Sequence, residues 1–219
     1  MISRSPMKCK ICGTATPADL KCAVDAGTDA VGFLMGITHL TSDAVSCEDA
    51  LKMIRTLPPF IEPVAVTHLQ DAHSIIDILQ RSHCTTLQIQ NTITPEEVAA
   101  IRKEVPYVRI IKAVHVIDES ALETAKIVST YADAIILDSR TADRLGGTGI
   151  THDWNISAKI VDSMNIPVIL AGGLTPENVV EAIEKVHPYG VDVHTGVKKN
   201  GIRDPDKTRA FVHAAHEHN

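Results

Sequence analysis

The sequence has no excess of positive charge, no long apolar run and no even set of cysteines. Its 219 residues carry 21 Lys and Arg against 27 Asp and Glu, a formal net charge of -6. A nucleic-acid-binding surface is basic, so this balance argues against DNA or RNA as a partner. Nor do Lys and Arg cluster as a membrane-binding patch requires. No stretch approaches the roughly 18 apolar residues of a membrane-spanning helix. The start, Met1-Ile2-Ser3-Arg4-Ser5-Pro6-Met7, has no apolar h-region, so no signal peptide is expected. Five cysteines at irregular spacing, in a chain of this length, read as free thiols of a reducing compartment. The composition that is present, 44% hydrophobic and 22% charged, is enough for one large domain with a substantial core. These features predict an enzyme-sized cytoplasmic domain.

Short apolar or β-branched runs recur along the chain: 8–12, 30–35, 63–68, 85–90, 108–115, 133–138, 167–171 and 191–194. Several, such as Ala134-Ile135-Ile136-Leu137, are continuous rather than alternating, as strands buried on both faces are. Between them, segments 18–26, 47–57, 72–81, 95–104, 120–131, 156–164, 176–186 and 205–216 carry apolar residues three and four apart, the helical period. Thr94-Pro95-Glu96-Glu97 reads as a capping box with proline at the first helical position, and Thr16-Pro17 and Thr175-Pro176 repeat the entry. An open doubly wound sheet also alternates strand and helix, but Cys12-Gly13-Thr14-Ala15 is not its G-x-G-x-x-G turn. Eight units at roughly 27 residues each predict a single closed (β/α)8 barrel, a TIM barrel, over residues 8–219. Residues 1–7 are expected to be a disordered N-terminal extension.

In such a barrel, chemistry sits where each strand ends and its βα loop begins. The candidates at those ends include Cys12, His39, His68, Gln90, His115, Asp138, Gly172-Gly173 and His194-Thr195-Gly196. Glycines concentrate in the last third: Gly146-Gly147-Thr148-Gly149, Gly172-Gly173 and Gly196. Small residues there let backbone N–H groups approach an anion, and the loops after strands seven and eight are the usual phosphate site of this fold. The plainer reading is that these glycines only make tight turns. Cys9 and Cys12 resemble a C-x-x-C pair, but residues three apart on a strand face opposite ways, which removes that motif. Lys10 shares the face of Cys12 and would lower the pKa of its thiol; a buried cysteine taken alone is inert packing. Asp138 leaves a carboxylate at the rim of an apolar strand, costly unless used or paired; capping the next loop is the alternative. Asp192 shares a strand face with His194.

The stretches Lys10-Ile11-Cys12-Gly13, Asp29-Ala30-Val31-Gly32-Phe33, Ile111-Lys112-Ala113 and Ile136-Leu137-Asp138 form an ordered series. It continues through Gly146-Gly147-Thr148-Gly149, Asp153-Trp154, Leu170-Ala171-Gly172-Gly173-Leu174, Glu177-Asn178-Val179 and Gly190-Val191-Asp192-Val193. Taken together they resemble the phosphoribosylanthranilate isomerases of tryptophan biosynthesis over nearly the whole chain. The resemblance implies a cofactor-independent isomerase of the aldose–ketose type, which performs an Amadori rearrangement of a phosphoribosyl-amine. It places the general acid at Asp138 and the general base at Cys12. Lys10, Gly147, Thr148, Gly149, Gly172, Gly173, Asp192, His194, Thr195 and Gly196 would contact substrate or its phosphate. The implied partner is a small phosphorylated substrate, and the chain a monomer or homodimer with no metal.

The sequence departs from the family at three strand ends. The family's Ser-Pro-Arg after strand two, whose arginine meets the anthranilate carboxylate, is replaced by Ile37-Thr38-His39-Leu40-Thr41-Ser42-Asp43. Leu-His-Gly after strand four becomes Ile89-Gln90-Asn91, and Ser-Ser-Gly after strand eight becomes His194-Thr195-Gly196. Residues expected to decide specificity are therefore His39, His68, Gln90, Lys112 and Arg140, with Arg140 or Lys112 standing in for the lost arginine. Two alternatives remain. One is a divergent metal-dependent sugar-phosphate epimerase using His39 and His68, with Asp43 or Asp138 as oxygen donors; the absence of a carboxylate at Gly172-Gly173 argues against it. The other is a barrel that binds a phosphate ligand without turnover.

Overall fold

The computed structural model describes residues 6–141, 144–145 and 151–218. The apolar runs form the strands β1 (Lys8–Ile11), β2 (Ala30–Leu34), β3 (Glu62–Thr67), β4 (Thr86–Ile89), β5 (Arg109–His115), β6 (Ala134–Asp138), β7 (Val168–Leu170) and β8 (Gly190–Val193). Each pairs in parallel with its sequence neighbours, and β8 pairs with β1, so the sheet closes into an eight-stranded barrel. The helices between them are α1 (Pro17–Asp25), α2 (Cys47–Ile54), α3 (Ala72–Ser82), α4 (Pro95–Glu104), α5 (Ala121–Val128), α6 (Trp154–Ser163), α7 (Val179–Val186) and α8 (Pro205–Glu217). Two short antiparallel pairings, Arg140–Thr141 with Arg144–Leu145 and Lys198–Lys199 with Ile202–Arg203, lie outside the expected pattern.

The strand alternation explains why the runs read as continuously apolar. Ile135 and Leu137 of β6 face outward into the large cluster beneath the helices, while Ile136 points into the barrel beside Ile111, Ala113 and Ala171. Cys9 likewise belongs to the outer cluster and Cys12 to an inner one, as the rejection of the C-x-x-C motif required. Burying an Ile or Leu this fully stabilises the fold by about 1.5–3 kcal/mol each. Against the expected disordered extension, Met7 is buried in the outer cluster, so packing begins ahead of β1; residues 1–5 lie outside the described residues.

Two helix starts differ from expectation. Thr94 caps α4 by accepting from the Glu97 N–H at 3.4 Å. The Glu97 carboxylate accepts from the Ala72 N–H at 2.5 Å, so it serves the free amides of the neighbouring α3 rather than closing a box on its own helix. The complete box is at Thr16, closed by Asp19. Thr175-Pro176 opens a turn, and α7 begins three residues beyond Pro176 at Val179.

Candidate active site

The strand ends open on a cavity of about 400 Å³ lined by residues from most βα junctions, Cys12, Asp138 and Asp192 among them. Cys12 leaves β1 pointing inward, against Gly32 of β2. A Cβ on Gly32 would lie 2.8 Å from Cys12 Sγ, so only glycine there leaves the thiol its place. Lys10 and Asp192 are register partners on β1 and β8, hence on the same face, and their ion pair is 2.8 Å long and buried. Burial opposes the charge on Lys10, but Asp192 and Cys12 outweigh it and raise its pKa. Burial pushes the Cys12 thiol up and Asp192 adds to the rise, while Lys10 and Arg203 oppose it.

Asp138 ends β6 with only 7% of its surface exposed. Its Oδ2 accepts from Gln90 Nε2 at 2.5 Å and its Oδ1 from the Ser139 N–H at 2.8 Å. Gln90 is held in turn by Gln88 Nε2, which donates to Gln90 Oε1 at 3.0 Å. Burial and the nearby Asp192 charge nonetheless move the Asp138 carboxyl from 3.8 to about 7. Near neutral pH it therefore holds a proton it can give away, the condition for a general acid.

Gly172, Gly173, Thr195 and Gly196 line the cavity at the ends of β7 and β8. At Gly196 a Cβ would stand 1.9 Å from the Leu174 carbonyl oxygen, so this glycine permits a close backbone approach. Asn178 fixes the rim by donating to the Gly173 carbonyl at 3.0 Å and accepting from the Thr175 N–H at 2.8 Å. His194 turns toward the β2–α2 loop: its Nε2 lies 2.6 Å from Asp43 Oδ2, which also accepts from Lys198 at 2.5 Å. Those two partners outweigh the effect of burial and hold the Asp43 carboxyl at about 2.

β1 lies between β8 and β2, so the glycine rim and the histidines of β2 and β3 flank Cys12 on opposite sides. His39 and His68 line that second side, rings tilted with centroids 5.2 Å apart. Burial, then His39 and His115, lower His68 to about 4, so it is neutral at physiological pH. The metal-dependent alternative loses its ligands here. Asp43 is committed to His194 and Lys198, and the described residues contain no group of three or more side chains able to hold a metal.

Other expected residues are placed differently. Lys10 does not line the cavity; its charge is spent on Asp192 below the thiol. Lys112 cannot replace the lost arginine. It is in register with Ile89 and Ile135, both outward-facing, and its Nζ donates to the Ala113 carbonyl at 2.6 Å. Burial lowers it to about 8. Gly147, Thr148 and Gly149, and the side chain of Arg140, lie outside the described residues. Unanticipated were Gln88, the Asp43–Lys198 pair, and Arg203, whose guanidinium reaches the carbonyls of Cys12 and Gly13. Asn200-Gly201 between Lys199 and Ile202 was the available signal for Arg203's hairpin, since both residues adopt positive φ, 52° and 79°.

Fold and site define a (β/α)8 barrel that pairs a proton-holding carboxyl with a buried thiol beside a glycine-lined rim. The family model of N-(5'-phosphoribosyl)anthranilate isomerase matches residues 9–214, and the chain belongs to that family. A relative from Methanosarcina mazei, N-(5'-phosphoribosyl)anthranilate isomerase 2, is 42% identical over 212 residues, covering 95% of this chain and 94% of its own. The crystal structure of phosphoribosyl anthranilate isomerase from Thermotoga maritima superposes with a TM-score of 0.83 at 32% identity, covering 95% of this chain and 98% of that one. A phosphoribosyl anthranilate isomerase in complex with reduced 1-(o-carboxyphenylamino)-1-deoxyribulose 5-phosphate is similar at a TM-score of 0.80 and 30% identity, with 95% and 98% coverage.

Proposed function

We propose that the chain acts as a phosphoribosylanthranilate isomerase of tryptophan biosynthesis with Asp138 as general acid and Cys12 as general base. The observation that carries this assignment is the Asp138 carboxyl, held at about 7 in the same cavity as the Cys12 thiol. Asp138 protonates the ring oxygen of the aminoaldose, and the furanose opens to a Schiff base. Cys12 as thiolate takes the C2 proton, giving an enolamine that tautomerises to the ketone. The acid loses one proton and the base gains one, so exchange with solvent restores both. Gly172, Gly173, Thr195 and Gly196 hold the phosphate. The carboxylated aromatic ring lies across Cys12 from the rim, against His39, His68 and Gln90. The described donors on that side of the cavity are the imidazoles of His39 and His68 and the Gln90 amide. The working form is a cytoplasmic monomer or homodimer that takes a small phosphorylated substrate and needs no cofactor.

Direct turnover of N-(5'-phosphoribosyl)anthranilate tests the reading. Cys12→Ala and Asp138→Asn are each expected to lower kcat by about 10²–10⁴-fold, the usual contribution of a positioned acid or base. Substrate that raises the melting temperature without being converted would overturn it in favour of a binding barrel.

A further inference from the structure

Arg203 is a buried arginine that makes no ion pair among the described residues. It closes the hairpin in which Lys198–Lys199 pairs with Ile202–Arg203, directly after the rim turn of β8. From there its Nη2 donates to the carbonyl oxygen of Cys12 at 2.5 Å and to that of Gly13 at 3.1 Å, while Nη1 reaches the His194 carbonyl at 3.5 Å. Its Nε has no hydrogen-bond partner among the described residues. Burying a cation with carbonyls as its hydrogen-bond partners is expensive even with Asp19 and Asp43 acting on it from a distance, and burial still lowers its pKa. The three carbonyls belong to the exits of adjacent strands, two flanking the thiol and one opening the rim turn.

We propose that Arg203 is a positioning residue for Cys12, clamping the exit of β1 to the turn after β8 so that the thiol stays aimed into the cavity. This rests on Cys12 being the general base. The planar guanidinium suits the task, because Nη2 bridges the two successive carbonyls on either side of Gly13's left-handed turn, φ 72°, while Nη1 reaches across to the β8 turn. The charged groups facing the thiol are Lys10 from its own strand, Asp192 from β8 and Arg203 from the hairpin. Lys10 is tied to Asp192, whereas Arg203 makes no ion pair among the described residues; Asp19 and Asp43 act on its charge from farther off. Arg203 holds the strand end in place and also favours the thiolate over the thiol.

The test compares wild type with Arg203→Met and Arg203→Lys. It reads kcat, KM and the pH dependence of Cys12 alkylation by iodoacetamide, followed by peptide mass spectrometry because four other thiols are present. Arg203→Met is expected to lower kcat about 10–100-fold, to leave KM within about twofold, and to move the alkylation midpoint up by about half a pH unit or more. Arg203→Lys keeps the charge but loses the fork. Its midpoint should stay near wild type while kcat falls by less than in the Met variant. Arg203→Gln, which retains one donor, replaces the Met variant if that does not fold. An unchanged kcat in folded Met or Gln variants overturns the clamp, whether or not the midpoint moves, as does a loss carried by KM with kcat unchanged. Cys12→Ala assayed in parallel separates the two claims: if it retains turnover, the base assignment fails while alkylation still reports on the clamp.

Discussion

Asp138→Asn should stabilise the protein while disabling it, and the gain should depend on pH. In the folded barrel the carboxyl is held at about 7, against 3.8 when unperturbed, because burial and Asp192 disfavour its charge. Between those values the unfolded chain ionises Asp138 and the folded chain does not. Wild-type stability from this group is therefore fully present below pH 3.8 and lost as pH climbs to about 7. At about 1.4 kcal/mol per pKa unit, the loss reaches roughly 4 kcal/mol at pH 8. An asparagine carries no such charge, but it has one oxygen for two donors, the Gln90 amide and the Ser139 N–H. Leaving a donor poorly met costs about 1–3 kcal/mol, at the low end if Gln90 reverses its amide. The variant should then melt roughly 3–10 °C higher at pH 8, using about 2–4 °C per kcal/mol for a domain of this size. At pH 4 the advantage should vanish or invert. Thermal unfolding of both proteins across this range is the assay. A melting difference that stays constant from pH 4 to pH 8 would refute the argument that burial strains the carboxylate.

The same two groups set the rate profile. With the thiol above its ordinary 9.0 and Asp138 at about 7, thiolate plus carboxylic acid is a minority form, so kcat/KM should rise about tenfold per pH unit below 7, stay flat until the raised thiol begins to ionise, and then fall. Cys12 alkylation should titrate with the upper limb; a midpoint on the lower limb would reverse the assignment. Gly196→Ala forces a methyl against the Leu174 carbonyl, which is backbone and cannot step aside. It should raise KM and weaken inhibition by inorganic phosphate about tenfold or more, and unchanged values for both would remove the rim as the phosphate site.

Much of the barrel could be read from the order and spacing of apolar runs, because a parallel strand covered by helices outside and packed inside is apolar on both faces over most of its length. Runs such as 134–137 announced themselves for that reason, and the expected strands match the observed ones to within a residue or two at each end. Cys12 and Asp138 were legible as strand-end residues, and the separation of Cys9 from Cys12 followed from the two-residue period. Helix starts were less legible. The Thr94 motif is satisfied locally on one side only, since Glu97 finds a stronger need at the neighbouring helix.

What only the tertiary structure decided is which charges meet. Lys10 and Asp192 are far apart in sequence yet lie in register across β1 and β8, so the lysine neutralises a carboxylate instead of reaching substrate. Lys112 stands on the outer face of its strand, a matter of strand register that residue type does not reveal. Gln90 acquires meaning only once strand pairing sets β4 and β6 on opposite flanks of β5 and its amide on Asp138. The sequence by itself determined the barrel and the positions at its open end. Closure decided the chemistry, because a pKa depends on burial and on neighbouring charges, and both are properties of the folded chain.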